Sequence, residues 1–318
     1  MTVPLCGVTN IQMRLRAFSS LLVATFVLTF KVTANDPFDQ SRVPLEADTA
    51  DTNLAKIVLL AGSPSNKPGQ HEYFAGCALF SQWLRQTPGV WPVMARDGWP
   101  KNEQIFDGAK SVVIFMDGGT KQTFLEPARW ARLQKLLADG AGLVMLHQAV
   151  DYPLGPDKEM KEWLGGVWLR DIGCRGHWDM EMRPQKGDHP ILRGVKAFPV
   201  KGDGWLYNLH FASDSKKFTP LLAGPVPENS RTTADAKKHA GRDELMGWCF
   251  ERANGGRSFG FTGADLHANW ALADQRRFVL NGILWTARRD IPADGARAEF
   301  TPEDLKVNLD DKRATDAK

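Results

Sequence analysis

The 318-residue sequence has four cysteines and no C-x-x-C. A dithiol redox motif and a cysteine-built zinc site are thereby disfavoured. It has no H-E-x-x-H and no compact H-x-H pair, so a metal would need ligands from loops far apart in the chain. No P-loop and no G-x-G-x-x-G follows the first expected strand, which removes the usual support for nucleotide binding. No serine stands at an expected strand-to-helix elbow, which disfavours an α/β-hydrolase mechanism. Neither sign of charge is in excess: Lys plus Arg is 40 and Asp plus Glu is 37. Arg14, Arg16 and Lys31 lie in the first 34 residues with no acid, so the rest of the chain balances at 37 to 37. Nucleic acid and anionic membrane call for a concentrated basic surface, and neither is expected as a partner. A composition 43% hydrophobic and 24% charged also excludes wholesale disorder, a coiled coil and a polytopic membrane protein.

What is present begins with a leader. Arg14 and Arg16 precede an apolar run from Ala17 to Phe30, followed by Lys31-Val-Thr-Ala34. Residues 1–34 read as a signal peptide cleaved near Ala34, because the run is short of the roughly 20 residues a membrane span needs. The expected product is exported, periplasmic or extracellular, with no stable membrane insertion. No cysteine stands at the cleavage site, so a lipoprotein is not expected. Cys77, Cys174 and Cys249 remain, an odd number, and buried thiols are their expected state, although export permits one bridge. Residues 35–54 read as a linker, 55–289 as one domain and 290–318 as a polar tail.

Within the domain, short apolar runs alternate with helical periodicity. Lys56–Gly62, Val90–Met94, Ser111–Met116 and Leu143–Leu146 read as buried strands, with helices at His71–Arg85 and Leu125–Ala138 between them. This pattern predicts a parallel, doubly wound α/β sheet. The second half is less regular. Met160–Leu164 reads as a helical turn or two, Trp178–Arg183 as weak alternation and Asp235–Arg242 as a charged loop. Leu245–Glu251 and Arg257–Phe261 pair around Ala253-Asn-Gly-Gly256, and Asp274–Arg288 is a closing helix.

Ligands of open parallel sheets bind beyond the carboxyl ends of the strands. His71 follows the first strand there, Asp117 the third, and His147 with Asp151 the fourth. His147 stands where an apolar strand stops, so its ring could ligate a metal, move a proton or hydrogen-bond a sugar; a core histidine satisfied by a carbonyl is the plainer alternative. His177 and Asp179 would share a face of a strand, as a ligand pair, an acid/base pair or a surface contact. His189, in Asp188-His-Pro-Ile191, reads first as a turn, and His239 as solvated surface. Trp205, Tyr207 and His210 form a polar-aromatic cluster, and His267 with Trp270 follows the last strand before the closing helix. Trp168, Trp205 and Trp270 suit sugar rings, yet tryptophans also fill cores.

In that order these pieces resemble the trehalose-utilisation, or ThuA-like, family. They are Lys56–Gly62 with His71, Gly142–Leu146 ending in His147, and Trp163-Leu-Gly-Gly166 with His177. Then come His189-Pro-Ile191, Asp203–Tyr207, and Gly263–Trp270 before the helix ending Gly282-Ile-Leu-Trp285. The resemblance covers about residues 55–288. It implies a flavodoxin-like, class I glutamine amidotransferase-like three-layer sandwich with a mostly parallel central sheet. An amidotransferase carries its nucleophilic cysteine where this chain has His147, so a Cys-His thioester mechanism is excluded here; the ThuA-like family itself has His there. Family members often carry Asp-Glu before the aromatic-Tyr of the middle motif, where this chain has Asp203-Gly204.

The resemblance implies work on carbohydrate, linked to 3-keto-glucosides such as 3-keto-trehalose. The leading expectation is an exported enzyme cleaving a small keto-sugar or glycoside by base-assisted elimination. His147, His177 and Asp179 are the catalytic candidates. His71, Asp117, Trp168, Trp205, Tyr207, His267 and Trp270 are the candidates for binding substrate. A divalent metal is compatible, with His147, His177 and His267 as candidate ligands. The alternatives are a non-catalytic carbohydrate-binding module and a metal-dependent hydrolase of another substrate.

Overall fold

The computed structural model describes residues 36–185, 187–212 and 217–312; the expected leader lies outside the described residues. The chain runs β1 (Ala55–Ala61), α1 (Tyr73–Leu84), β2 (Val90–Ala95), β3 (Ser111–Phe115), α2 (Pro127–Ala138), β4 (Gly142–Leu146) and α3 (Pro156–Leu164). It continues through β5 (Gly166–Val167), β6 (Cys174–Pro184), β7 (Phe198–Tyr207), β8 (His210–Phe211), β9 (Phe218–Gly224) and α4 (Ala234–Lys237). It closes with β10 (Glu244–Glu251), β11 (Arg257–Phe261) and α5 (Ala273–Thr286).

Nine strands form one sheet in the order β2-β1-β3-β4-β11-β10-β9-β6-β7. The first five are mutually parallel; the remaining four extend the sheet antiparallel. The parallel part has the flavodoxin-like order, with a topological switch point between β1 and β3. Every residue of β1, β3 and β4 is buried, because helices cover both faces. Ile57, Leu59, Val113, Phe115 and Val144 pack with Phe80 and Trp83 of α1 and Phe278 and Ile283 of α5. Val58, Leu60, Val112, Ile114 and Leu143 point the other way, to Leu133 and Leu137 of α2 and Met160 and Leu164 of α3. This alternation makes three layers.

Helix boundaries follow local chemistry. The Glu126 side chain accepts from the Ala128 and Arg129 amides and Pro127 opens α2; α3 opens on Pro156 and stops at Gly165 in the left-handed region. The turn Met160–Leu164 thus extends back to Pro156, and the charged stretch from Asp235 carries the short α4, capped by Thr233. Residues 36–54 are not a free linker. Leu45 bridges Met94, and the Glu46 carboxylate accepts from the Lys101 and Asn102 amides. Nor is the described part of the tail loose: Ile291, Ala296, Asp310 and Lys312 are buried. Polar composition hides the few anchoring groups in both segments. Cys77, Cys174 and Cys249 are buried and unbridged. Among the described residues no helix is long and apolar enough to cross a membrane.

Candidate functional site

The segments leaving β1, β3, β4 and β11 converge at the carboxyl edge of the parallel strands. Four of their residues hold left-handed backbones without being glycine: Asn66 (φ 60°), His71 (φ 48°), His147 (φ 53°) and Ala264 (φ 82°). Such conformations cost about 1–3 kcal/mol each and persist where surrounding bonds over-determine them. His147 turns the chain out of β4 into a 3-10 turn, His147–Val150. The 71 and 265 segments are zipped together, with the His71 amide donating to the Asp265 carbonyl (3.0 Å) and the His267 amide to the Gly69 carbonyl (2.9 Å). Asp203, at the end of a buried stretch of β7, accepts from the Ala264 and Leu266 amides at 2.9 and 2.8 Å and so fixes the turn that presents Asp265.

The outer ring nitrogens of the two histidines are both engaged. His147 Nδ1 lies 3.0 Å from the Thr262 carbonyl, which only an N–H can satisfy. His71 Nδ1 lies 2.9 Å from Asp117 Oδ1, a carboxylate that also accepts from Ser65 and Tyr73. These partners assign the proton to Nδ1 in each ring and leave the Nε2 lone pairs pointing inward. Burial, then the neighbouring His71, lowers His147 to about 4, which keeps it neutral. Burial would raise Asp117, but hydrogen bonds from His71, Ser65, Tyr73 and Lys121 outweigh it and hold the carboxyl below its usual range.

The two Nε2 atoms face each other at 3.1 Å, and Asp265 Oδ1 stands 3.3 Å from one and 3.8 Å from the other. Asp265 Oδ1 is buried and has no hydrogen-bond partner among the described residues. The Asn66 side-chain nitrogen also lies 3.0 Å from His71 Nε2, yet the electron pairs of the two Nε2 atoms and the bare carboxylate oxygen still face one another, and a proton or cation between them relieves that repulsion. The circle through three atoms at these separations has a radius of about 2.0 Å, the length of zinc–nitrogen and zinc–oxygen bonds. Outer N–H groups held by a carboxylate and a carbonyl are what metal-bound histidines use for orientation. The donor set therefore fits a divalent cation.

The triad opens on a pocket of about 210 Å³ lined by Asn66, Gln148, Arg175, His177, Trp205 and Asp265, among others. That volume is below the roughly 300–1,000 Å³ of sites for drug-sized ligands, so a ligand as large as a disaccharide would lie partly outside it. The His177 side chain is 56% exposed there and contacts Asp265 Oδ2 through Nε2 at 2.7 Å. Gln148 Nε2 lies 3.4 Å from His71 Nε2.

Of the expected site residues, His71, Asp117, His147, His177 and Trp205 come together. Asp179 does not join them. An irregularity in the β6–β7 pairing sets it opposite Lys201 and Gly202, whose ammonium and amide it accepts, both at 2.8 Å; the carboxylate beside His177 is Asp265. Trp168 gives its indole N–H to the Cys174 carbonyl with Arg175 over its face. Tyr207 pairs with Ser230. Trp270 packs edge-on to Phe80 and Trp83. His267 is buried apart from the triad, lowered to about 4 mainly by burial. His189 accepts from the Ile191 amide as the turn residue expected. The spacing Gly256-Arg-Ser258-Phe-Gly260 resembles a serine elbow, but Ser258 lies buried within β11 and donates to the Trp163 carbonyl. Sequence reasoning missed Asp265, Asn66, Gln148 and Arg175. The signal for Asp265 was its place directly after β11, beside the more conspicuous His267.

A family profile described as trehalose utilisation, ThuA, matches residues 76–286. A protein described as ThuA-like from Parabacteroides merdae ATCC 43184 superposes with a TM-score of 0.56 at 14% identity, over 80% of this chain and 100% of that one. Another so described, from Bacteroides uniformis ATCC 8492, gives 0.54 at 13% identity, over 78% and 97%. PurLQS from Thermotoga maritima gives 0.41 at 12% identity, over 73% and 98%. No curated protein matches the sequence.

Proposed function

The chain belongs to the trehalose-utilisation (ThuA) family, and on that premise we propose that it is an enzyme that cleaves small keto-glycosides by base-assisted elimination. The observation that carries this reading is the convergence of two inward Nε2 lone pairs and the bare Asp265 Oδ1 on one point at the floor of a polar pocket. Export, resting on the expected leader at 1–34, belongs to the same proposal.

In a 3-keto-glucoside the carbonyl acidifies the C–H at C2. Removal of that proton gives an enolate, the C1–O bond breaks as the enolate collapses, the aglycone leaves with a proton, and water adds to the resulting enone. This sequence needs a base, a stabiliser for the enolate oxygen and an acid for the leaving group. His71, His147 and Asp265 would hold a divalent cation, which when bound supplies Lewis-acid polarisation of the ketone oxygen. His177 is the base in this reading, because its side chain is the exposed one among the three clustered histidines and has a carboxylate behind it. Asp265 thus has two duties, with Oδ1 toward the triad and Oδ2 orienting His177. Arg175 and Gln148 line the same pocket as hydrogen-bond donors to sugar hydroxyls.

The test is incubation of the purified protein with 3-keto-trehalose and with trehalose, with and without a chelator, read by mass spectrometry. Cleavage of the keto-sugar alone, a fall of about 10²–10⁴-fold in kcat for His177→Gln, and loss on chelation are expected. An unchanged rate in His177→Gln removes it as the base. No cleavage of either sugar overturns the reading.

A further inference from the structure

Glu72 and Lys312 lie on either side of the segment the family profile matches, 240 positions apart in the chain, and both are buried. Their side chains pair at 3.1 Å. The Lys312 ammonium also donates to the Gln70 carbonyl and lies 3.4 Å from that of Lys67. The Glu72 carboxylate accepts in addition from the Gly69 amide and the Asp310 amide, both at 2.8 Å. All these contacts fall on residues 67–72, the segment that carries His71. The far side of that segment is zipped to Asp265 and His267. Residues 309–310, just before Lys312, are tied down by Gln40, whose amide donates to the Leu309 carbonyl and Asp310 Oδ1, and by the Leu309 amide on the Pro37 carbonyl.

We propose that Lys312 is a positioning residue for His71. Its ammonium, through Glu72 and the Gln70 carbonyl, holds the 67–72 segment so that His71 keeps its left-handed backbone and its Nε2 faces His147 and Asp265. The inference rests on reading these three residues as the reactive centre. A buried ammonium is costly unless paired, and the Glu72 carboxylate and Gln70 carbonyl that meet this one belong to one site-bearing loop. This ties the C-terminal segment to the catalytic edge of the sheet.

Removing one partner alone would leave a buried charge and risks unfolding, so the test uses the full chain with the double change Glu72→Gln and Lys312→Met. Its control is Arg231→Met with Glu244→Gln, which removes another buried ion pair. Each form is titrated with Co²⁺ by visible absorption, its amide exchange at residues 69–72 is followed by NMR, and its melting temperature is measured. Both double variants lose thermal stability. The Glu72/Lys312 variant alone is expected to weaken Co²⁺ binding at least tenfold and to speed exchange of the His71 amide at least tenfold. Unchanged Co²⁺ affinity and unchanged exchange in a folded Glu72/Lys312 variant would overturn the proposal, as would an equal loss in the control. A native protein that binds no Co²⁺ overturns the metal reading alone, and the exchange of the His71 amide then decides the positioning role.

Discussion

Gly204 and Asp265 are so closely opposed that a β-carbon built on the glycine would stand 2.5 Å from Oδ2 of the carboxylate. Gly204 is also the β7 residue that faces His177 across the β6–β7 ladder. The missing side chain is therefore what lets His177 reach Asp265. It gives a physical reading of Asp203-Gly204, where the resembling family often carries Asp-Glu. A glutamate here would occupy the space of Asp265, and in this chain the carboxylate arrives from the opposite loop. Gly204→Ala is expected to displace the Asp265 carboxylate and lower kcat/KM by about 10–100-fold, the scale of a misplacement of about 1 Å. Its melting temperature should stay within a few degrees of the parent. Full activity in this variant would show that the His177–Asp265 contact does not matter to turnover.

His267 has the right position in sequence and the wrong surroundings in space. Neither ring nitrogen has a hydrogen-bond partner among the described residues, and the side chain is buried. Replacing an unsatisfied polar ring by an apolar side chain removes a desolvation penalty of about 1–3 kcal/mol. His267→Leu should keep kcat/KM within about threefold and raise stability or leave it level, as measured by turnover and by chemical denaturation. A loss of activity comparable to His177→Gln would restore His267 to the centre.

The legible part of this fold is the part whose residues are buried on both faces. Val58, Leu60, Val112 and Leu143 sit in uninterrupted apolar runs because helices cover the sheet there, and the loops after those runs hold His71, Asp117 and His147. The antiparallel extension was harder to read. In β7, Gly202 and Gly204 break the alternation, since one serves an irregular pairing and the other the approach of Asp265. For the same reason Asp179 looked like the partner of His177: strand periodicity puts the two on one face, and only the register with β7 hands Asp179 to Lys201. The tryptophans illustrate a different limit. Trp168, Trp205 and Trp270 are alike in sequence context, and long-range packing buries all three while setting only Trp205 of them against the pocket.

Asp310 makes stability depend on pH in a direction opposite to that of most carboxylates. Burial, then the adjacent Glu72, raise its carboxyl to about 6, against Lys312, Gln40 and Arg96. An unfolded chain titrates the same group near 4. The folded state therefore holds the proton more tightly, so this group favours folding at low pH, and that contribution is lost as pH rises through about 6. Asp310→Asn cannot ionise. Its stability relative to the parent should grow by about 1–3 kcal/mol between pH 4 and pH 7.5, measured by urea denaturation at both. A difference that does not widen with pH would mean that the carboxyl is not raised.

Asp117 tests the assignment of protons in the triad. Its Oδ1 receives the Nδ1–H of His71 and the hydroxyls of Ser65 and Tyr73, so one oxygen sets both the tautomer and the tilt of the ring. Asn at this position can still accept through its amide oxygen, but it carries no charge to raise the basicity of Nε2, and its NH₂ group faces Lys121, whose ammonium lies 3.0 Å from Oδ2. Second-layer carboxylates of this kind are worth about 10–100-fold in metal affinity. Asp117→Asn is accordingly expected to weaken Co²⁺ binding by that factor while keeping the same absorption envelope, since the ligands are unchanged. His71→Ala should abolish the envelope. If Asp117→Asn instead binds Co²⁺ as tightly as the parent, the inward lone pair of His71 does not depend on Asp117, and Ser65 Oγ, 2.9 Å from Nδ1, becomes the group that holds the ring.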